Sequence, residues 1–158
     1  MTEFTHLNTS GEARMVDVTH KQPTVRRARA SAQVWCAPHV VAALRERQVP
    51  KGDVLAVARI AGIAAAKRTP ELLPLAHIIG VHGVAVDAQV VDTGVSISVT
   101  VSTADRTGVE MEALTAASVA ALAVVDMVKA LDKGTRIGNI QLESKTGGKS
   151  GDWTRPPT

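Results

Sequence analysis

The stretch that decides the fold runs from residue 95 to residue 132, and its periodicity changes once along its length. Its first part, VSISVTVS at 95–102, alternates apolar and polar residues, which is the pattern of a β-strand with one buried face. Its second part, TGVEMEALTAASVAALAVVDMVKALD at 107–132, predicts a long helix that is apolar apart from one face with ionisable residues. The stretch therefore predicts a strand followed by a long helix that packs on the same sheet.

The flanking segments extend this strand and helix into a complete sheet. In chain order the predicted elements are a strand at 25–36, a helix from Pro38, a helix over 53–68, strands at 80–92 and 95–102, the helix over 107–132 and a strand at 136–143. This order predicts an α+β fold of the ferredoxin-like split βαβ type. Such a fold has one antiparallel sheet with its helices on one face.

The ends of the chain predict less regular structure than the middle. Residues 1–20 predict an extended N-terminal arm that carries one short strand at Arg14–Val18. Residues 145–158 are rich in glycine and lysine and predict a mobile tail. Because 158 residues are enough for one domain and its core, we expect a single domain over residues 1–158.

The composition argues against several classes of protein. Aromatic residues make up 2% of the chain and no Tyr occurs, so a sheet that stacks RNA bases is not supported. The single cysteine, Cys36, cannot form an internal disulfide or a cysteine zinc site. Residues 1–20 carry charges and lack the apolar segment of a signal peptide. We find no run of about 20 apolar residues, so we expect no segment that spans a membrane. We therefore expect a cytoplasmic protein without a membrane or nucleic-acid partner.

Basic residues are clustered although the net charge is only +3. The clusters are Arg26–Arg27–Arg29, Lys51, Arg59, Lys67–Arg68, Lys129–Lys133 and Lys145–Lys149. Together they can bind a polyanion, whereas each cluster alone is by default a solvated surface. Lys51 precedes a glycine at a helix start, where backbone N–H groups can bind phosphate. The glycine-rich tail can close over an anion or be only a flexible terminus.

The long helix carries three ionisable residues on neighbouring faces. Asp126 and Lys129 project about 60° apart, and Glu112 lies about 40° from Asp126 on its other side. The apolar neighbours of Asp126 predict a partly buried carboxylate with a cation nearby, and the alternative is an ion pair on a solvated face. Glu112 and Asp126 stand about 21 Å apart along the helix axis. If both contact one small substrate, the site must combine two subunits.

Two further residues have structural explanations as well as functional ones. Glu110 stands three residues after Thr107, which is the spacing of a helix capping box. His77 lies between Leu75–Ala76 and Ile78–Ile79, where a hydrogen-bonded core or rim histidine is the commoner role. No second His or Cys stands at metal-ligand spacing from His77, so the sequence supports no metal site.

Several segments, taken together and in order, match a known family. The longest is TGVEMEALTAA at 107–117, which is specific by itself. The others are THLN (5–8), GEARMVDV (11–18), KGDV (51–54), ARIAGI (58–63), AKRT (66–69), DMVKA (126–130) and KTGGKSGDW (145–153). Over nearly its whole length the chain resembles the molybdenum cofactor biosynthesis protein C family.

The resemblance implies a lyase reaction on a GTP-derived substrate. Enzymes of that family take a cyclised dihydro-GTP, rearrange it to a pterin that bears a cyclic phosphate, and release pyrophosphate. No redox step occurs in this conversion, so no cofactor is implied. The resemblance also implies a homohexamer, a trimer of dimers with sites between subunits, which agrees with the inference drawn from the long helix.

The resemblance assigns roles to residues of this chain. It implies Asp126 as the acid and base, with Lys129 and Lys51 as catalytic partners. The implied substrate contacts are Leu75, Ala76, His77, Glu110, Met111, Glu112, Lys67 and Lys145. The family usually has Leu-Cys-His-Pro-Leu where this chain has Leu-Ala-His-Ile-Ile, so the backbone after His77 lacks the restraint of a proline. The alternative function is a noncatalytic regulatory module that binds a nucleotide or polyphosphate.

Overall fold

The computed structural model describes residues 6–157, in which the regular elements follow the predicted order. The elements are β1 (Thr24–Trp35), α1 (Pro38–Arg45), α2 (Val54–Lys67), α3 (Thr69–Leu72), β2 (Gly83–Val91), β3 (Gly94–Asp105), α4 (Glu110–Val128), β4 (Arg136–Thr146) and β5 (Trp153–Thr154). The strand and the long helix predicted within 95–132 are β3 and α4, and the strand predicted at 80–92 is β2.

β1 is the central strand of an antiparallel sheet whose order is β2-β3-β1-β4-β5. Ala30 of β1 pairs with Val99 of β3 on one side and with Leu142 of β4 on the other. The chain passes from β1 to β2 through three helices and from β3 to β4 through α4. This is the split βαβ order, so the α+β, ferredoxin-like prediction is confirmed.

The core lies between one face of the sheet and the helices α2 and α4. On β1 the side chains of Ala28 and Ala30 are buried, whereas Arg29 between them is exposed on the other face. α4 packs on β1, β3 and β4, and α2 packs on α4 and β2. A Cβ added at Gly62 of α2 would lie 3.1 Å from the Ala116 carbonyl oxygen of α4. Small residues therefore allow the two helices to approach closely.

α4 is long and apolar enough to cross a membrane by length and composition, contrary to the expectation that no such run exists. In the fold, however, half of this segment is buried inside the protein. Its fully buried residues include Ala116, Ala120 and Val124, which face α2 and the sheet. The composition of α4 is therefore explained by its place in the core, since a helix packed on several sides is apolar on several sides.

The N-terminal arm is irregular, and the strand predicted at Arg14–Val18 is not formed. Instead Leu7 makes an isolated bridge with Ala13, and the Asn8 side chain accepts two backbone N–H bonds within that turn. A short polar side chain that bonds the nearby backbone favours a turn at residues 8–12. Residues 1–5 of the predicted arm lie outside the described residues.

The tail returns along β4 instead of leaving the sheet. β4 extends to Thr146, three residues further than predicted, and Trp153 of β5 pairs with Lys145. The turn between the two strands contains three glycines with positive φ, namely Gly147, Gly148 and Gly151. Mobility of this turn stays a prediction, and Thr158 lies outside the described residues.

Candidate active site

A cleft of about 700 Å³ opens between the N-terminal arm, the loop before β2, the start of α4 and the end of β4. Residues as far apart in sequence as His6 and Trp153 line it. Among its lining are the predicted substrate contacts Leu75, Ala76, His77, Glu110, Met111, Glu112 and Lys145. The fold therefore brings together all of the predicted substrate contacts except Lys67.

His77 is held in the cleft by the N-terminal arm. Its Nε2 lies 2.6 Å from the Val16 carbonyl oxygen, so Nε2 donates this hydrogen bond and the proton of a neutral ring is placed there. The contact gives His77 a fixed partner although Ile78 stands where the family has proline. Sequence reasoning missed Val16, because it contributes its backbone carbonyl oxygen and its side-chain type does not indicate this role.

Glu112 is the buried acid of the cleft. It lies in the first turn of α4 with 3% of its surface exposed. Burial raises the pKa of its carboxyl group and the neighbouring charge of Glu110 adds to the rise, while a backbone hydrogen bond and His77 act in the opposite direction. A carboxyl group with a raised pKa keeps its proton to higher pH, so Glu112 can donate as well as accept a hydrogen bond.

Glu110 faces Lys145 across the cleft and does not form the predicted capping box. The N-cap of α4 is Val109, and no side chain among the described residues caps it. Thr107 stands two residues before this N-cap, out of position for a capping box. Glu110 Oε1 lies 3.5 Å from Lys145 Nζ, and each side chain is about one quarter exposed. The carboxylate therefore lies against a cation of the site.

A smaller cavity of about 210 Å³, here called the basic cavity, adjoins the cleft. Its charged lining residues are Lys21, Arg26, Arg27, Lys145 and Glu110. Lys21, Glu110 and Lys145 line the cleft as well, so the two cavities are adjacent and share part of their lining. Arg26 is oriented by a hydrogen bond of 3.0 Å from its Nε to the Asp105 carbonyl oxygen. Sequence reasoning noted the arginines only as a basic cluster and missed Lys21, which stands alone in the sequence.

Asp126 forms a second cluster with Lys51 and Lys129 at the other end of α4. Lys129 Nζ lies 2.6 Å from Asp126 Oδ1, and Lys51 Nζ lies 3.2 Å from Oδ2 and 2.8 Å from the Asp126 carbonyl oxygen. Hydrogen bonds from Lys129 and then Lys51 lower the pKa of Asp126, so the carboxylate is ionised at neutral pH. Asp126 therefore contacts two cations, where the sequence predicted at least one.

The expected partial burial of Asp126 is wrong for this chain. Its side chain is 57% exposed. Val125 and Met127 flank it in sequence, but on a helix they project about 100° to either side, toward other surroundings. The lysines lower the energy of an exposed carboxylate and do not have to compensate for a buried one.

The Asp126 cluster and the cleft lie at opposite ends of α4. Glu112 and Asp126 are separated by about 21 Å along the helix. Lys51, just before α2, contacts the end of α4, while Gly62 of α2 contacts its middle, so α2 runs antiparallel to α4. Lys67, the last residue of α2, is exposed toward the cleft end but is not among the described residues that line the cleft. One chain therefore holds two separate groups of predicted site residues.

The described part of the chain, residues 6–157, has no group of three or more His, Cys, Asp or Glu side chains positioned to hold a metal ion. The cleft and the Asp126 cluster offer carboxyl, imidazole and ammonium groups. Such groups transfer protons and stabilise anions.

Comparison with known proteins relates nearly the whole chain to one family. The model of the MoaC family matches residues 15–148. A cyclic pyranopterin monophosphate synthase of Streptomyces coelicolor is 64% identical over 152 residues, which cover 96% of this chain and 89% of that protein. Proteins of the same name from Nocardioides sp. and Pelobacter propionicus are 59% and 54% identical, covering 97% and 96% of this chain and 96% of each relative. The chain belongs to the MoaC family.

Proposed function

We propose that the chain is a cyclic pyranopterin monophosphate synthase of molybdenum cofactor biosynthesis. It converts cyclised dihydro-GTP to cyclic pyranopterin monophosphate and releases pyrophosphate. Relatives of that name at 53–64% identity support this reaction. The structural observation that carries the proposal is the adjacent placement of the cleft and the basic cavity, which share charged lining residues. The two cavities differ, because the cleft offers apolar surface and a few polar groups while the basic cavity offers four cations, which suits a ring system joined to phosphates.

The basic cavity is proposed to bind the triphosphate. Its four cations are Lys21, Arg26, Arg27 and Lys145. Guanidinium and ammonium groups form charge-assisted hydrogen bonds with phosphate oxygens, and these bonds are stronger than neutral ones. As pyrophosphate leaves, fixed cations stabilise its growing negative charge without having to move. Lys67 is proposed as a further anion contact, and because it lies outside this space in its own chain, it would serve the site of another chain.

The rest of the cleft is proposed to bind the ring system. Leu75, Ala76 and Met111 line it with apolar surface, and His77 and Glu112 supply polar groups. Small-molecule sites commonly combine apolar walls with a few placed polar groups that fix orientation. Burial raises the pKa of Glu112 and so favours its protonated form, in which the carboxyl group donates a hydrogen bond as well as accepting one.

Asp126 is proposed as the general acid and base of the rearrangement. Its carboxylate is ionised because Lys129 and Lys51 lower its pKa, so it can take a proton first and return it later. The two ammonium groups can stabilise negative charge that develops on substrate oxygens. The conversion needs no electron transfer, and groups that move protons are sufficient for it.

The active site is proposed to be completed by a second copy of the chain. Asp126 stands about 21 Å from Glu112, which is too far for one small substrate to touch both in the same chain. Large apolar side chains are exposed on the helices and on the loop before β2: Ile60 at 68%, Leu122 at 57% and Ile78 at 90%. Contacts between copies would cover such surface. We propose a homohexamer, a trimer of dimers, and a location in the cytoplasm, where GTP-derived nucleotides are made.

The test supplies enzymatically made cyclised dihydro-GTP and follows the release of pyrophosphate together with the pterin product. Release at a rate that depends on enzyme concentration is the expected result, with the Asp126→Asn chain as the matched control. Binding of the substrate without any release would support the alternative of a noncatalytic nucleotide-binding module. Absence of both binding and release would contradict both functions.

A further inference from the structure

The turn between β4 and β5 builds one wall of the basic cavity. Gly147 and Ser150 of the turn line the cavity, as does Lys145 from the end of β4. Lys145 Nζ donates a hydrogen bond of 2.6 Å to Ser150 Oγ and lies 3.5 Å from Glu110 Oε1. The ammonium group is thus held between the turn and α4. Its position therefore depends on the conformation of the turn.

The turn has little intrinsic preference for this conformation. Gly147, Gly148 and Gly151 adopt φ values of +83°, +79° and +69°. Glycine samples both signs of φ in the unfolded chain, so fixing three glycines costs more conformational entropy than fixing three other residues. A Cβ at Gly147 would overlap the backbone carbonyl oxygen of Val25, so the close approach of the turn to β1 requires glycine there. A residue other than these three glycines therefore has to hold the turn in this conformation.

Asp152 supplies that contact. Its Oδ1 accepts a hydrogen bond of 3.0 Å from the Gly147 N–H, across the base of the turn. Asp152 immediately precedes Trp153, which pairs with Lys145, so the bond closes the turn next to the cation. Among the described residues, Asp152 lines neither the cleft nor the basic cavity. The hydrogen bond to Gly147, a residue of the turn, therefore links Asp152 to the basic cavity.

We propose that Asp152 is a positioning residue, which holds the glycine turn closed so that Lys145 presents its charge to the phosphates. The inference rests on the proposed function, because it assumes that phosphates occupy the basic cavity. A negative charge near phosphates opposes their binding, so the hydrogen bond and not the charge is what Asp152 contributes. An Asn side chain can accept the same N–H bond, whereas Ala cannot.

The first test compares three variants by steady-state pyrophosphate release. Asp152→Ala should lower kcat/KM about tenfold, mainly through KM, because one hydrogen bond that fixes the turn is lost. Asp152→Asn should stay within about twofold of the wild type, because it keeps the acceptor. Asp92→Ala, which removes one exposed carboxylate at the β2–β3 turn at the other end of the sheet, is the charge-matched control and should leave activity unchanged. An Asp152→Ala chain as active as the wild type would overturn the proposal.

A double-mutant cycle decides whether Asp152 acts through Lys145. Adding Asp152→Ala to a Lys145→Ala chain should change kcat/KM by less than about twofold, since the group to be positioned is already gone. A further tenfold loss would show that Asp152 acts independently and would overturn the proposal. Melting temperatures monitor folding, and calorimetric binding of inorganic pyrophosphate replaces the rate if Lys145→Ala is too slow to assay. An inactive wild-type chain would contradict the proposed function itself, whereas an active wild type with an unaffected Asp152→Ala contradicts only this inference.

Discussion

Replacing Asp126 with Asn is the perturbation whose effect follows most directly from the geometry. The carboxylate accepts hydrogen bonds from Lys129 at 2.6 Å and Lys51 at 3.2 Å, and these bonds hold its pKa below the ordinary value. An Asn side chain keeps the shape and one acceptor oxygen but cannot take up a proton at neutral pH. The change therefore removes the proposed acid and base and leaves its surroundings in place.

The expected loss is about 100-fold to 10,000-fold in kcat, which is the usual contribution of a positioned general acid or base. Because the Asp126 side chain is 57% exposed, its ion pairs contribute little to folding, and the melting temperature should barely change. Substrate affinity should stay close to that of the wild type, since the phosphates are proposed to bind in the basic cavity.

The assay is pyrophosphate release in single-turnover and steady-state form, with a thermal melt of each protein beside it. Because the pKa of Asp126 is lowered, the wild-type carboxylate is ionised throughout the range from about pH 5 to pH 9, and the loss should be similar across that range. An Asp126→Asn chain that folds normally and keeps most of the wild-type rate would refute the acid and base assignment.

Three further predictions concern Lys145, Lys51 and the buried acid Glu112. Lys145→Ala should raise KM about tenfold and make the residual activity less sensitive to salt, because one proposed phosphate contact is lost. Lys51→Ala should mainly lower kcat, because Lys51 contacts Asp126. Steady-state kinetics at two salt concentrations separate the two effects, and an unchanged KM and salt dependence in Lys145→Ala would exclude that contact. Glu112 has a raised pKa in the folded chain, so above the ordinary value of 4.5 its ionisation favours the unfolded state. The melting temperature of Glu112→Gln relative to the wild type should therefore rise between pH 4 and pH 8, and a fall over that range would contradict the raised pKa.

The fold was predictable where one local pattern decides each element. Alternation at 95–102 identified β3, and the strand predicted at 25–36 is β1. The helix predicted over 53–68 is α2, whose start Asp53 caps by accepting a bond from the Ala56 N–H. Element ends were less predictable. β4 extends to Thr146 because that residue pairs with Arg27 of β1, and local sequence carries no record of a contact between distant segments.

The residue types of the site were predictable, but their arrangement was only partly so. The separation of Glu112 from Asp126 followed from helix geometry alone, because the rise per residue of an α-helix is fixed. The exposure of Asp126 did not follow, because neighbours in sequence point in different directions on a helix. Lys21 and the Val16 carbonyl oxygen reach the cleft through irregular chain, whose path no periodic pattern encodes.

The most direct measurement mixes two chains that are each inactive alone, Glu112→Ala and Asp126→Asn. If each site takes Glu112 from one chain and Asp126 from another, random exchange in an equal mixture leaves about one quarter of the sites with both groups intact. We therefore predict that pyrophosphate release recovers to about one quarter of the wild-type rate, with exchange verified by chains that carry different tags. No recovery despite demonstrated exchange would contradict a site shared between chains. It would mean that the two residues act within one chain or that one of them is structural.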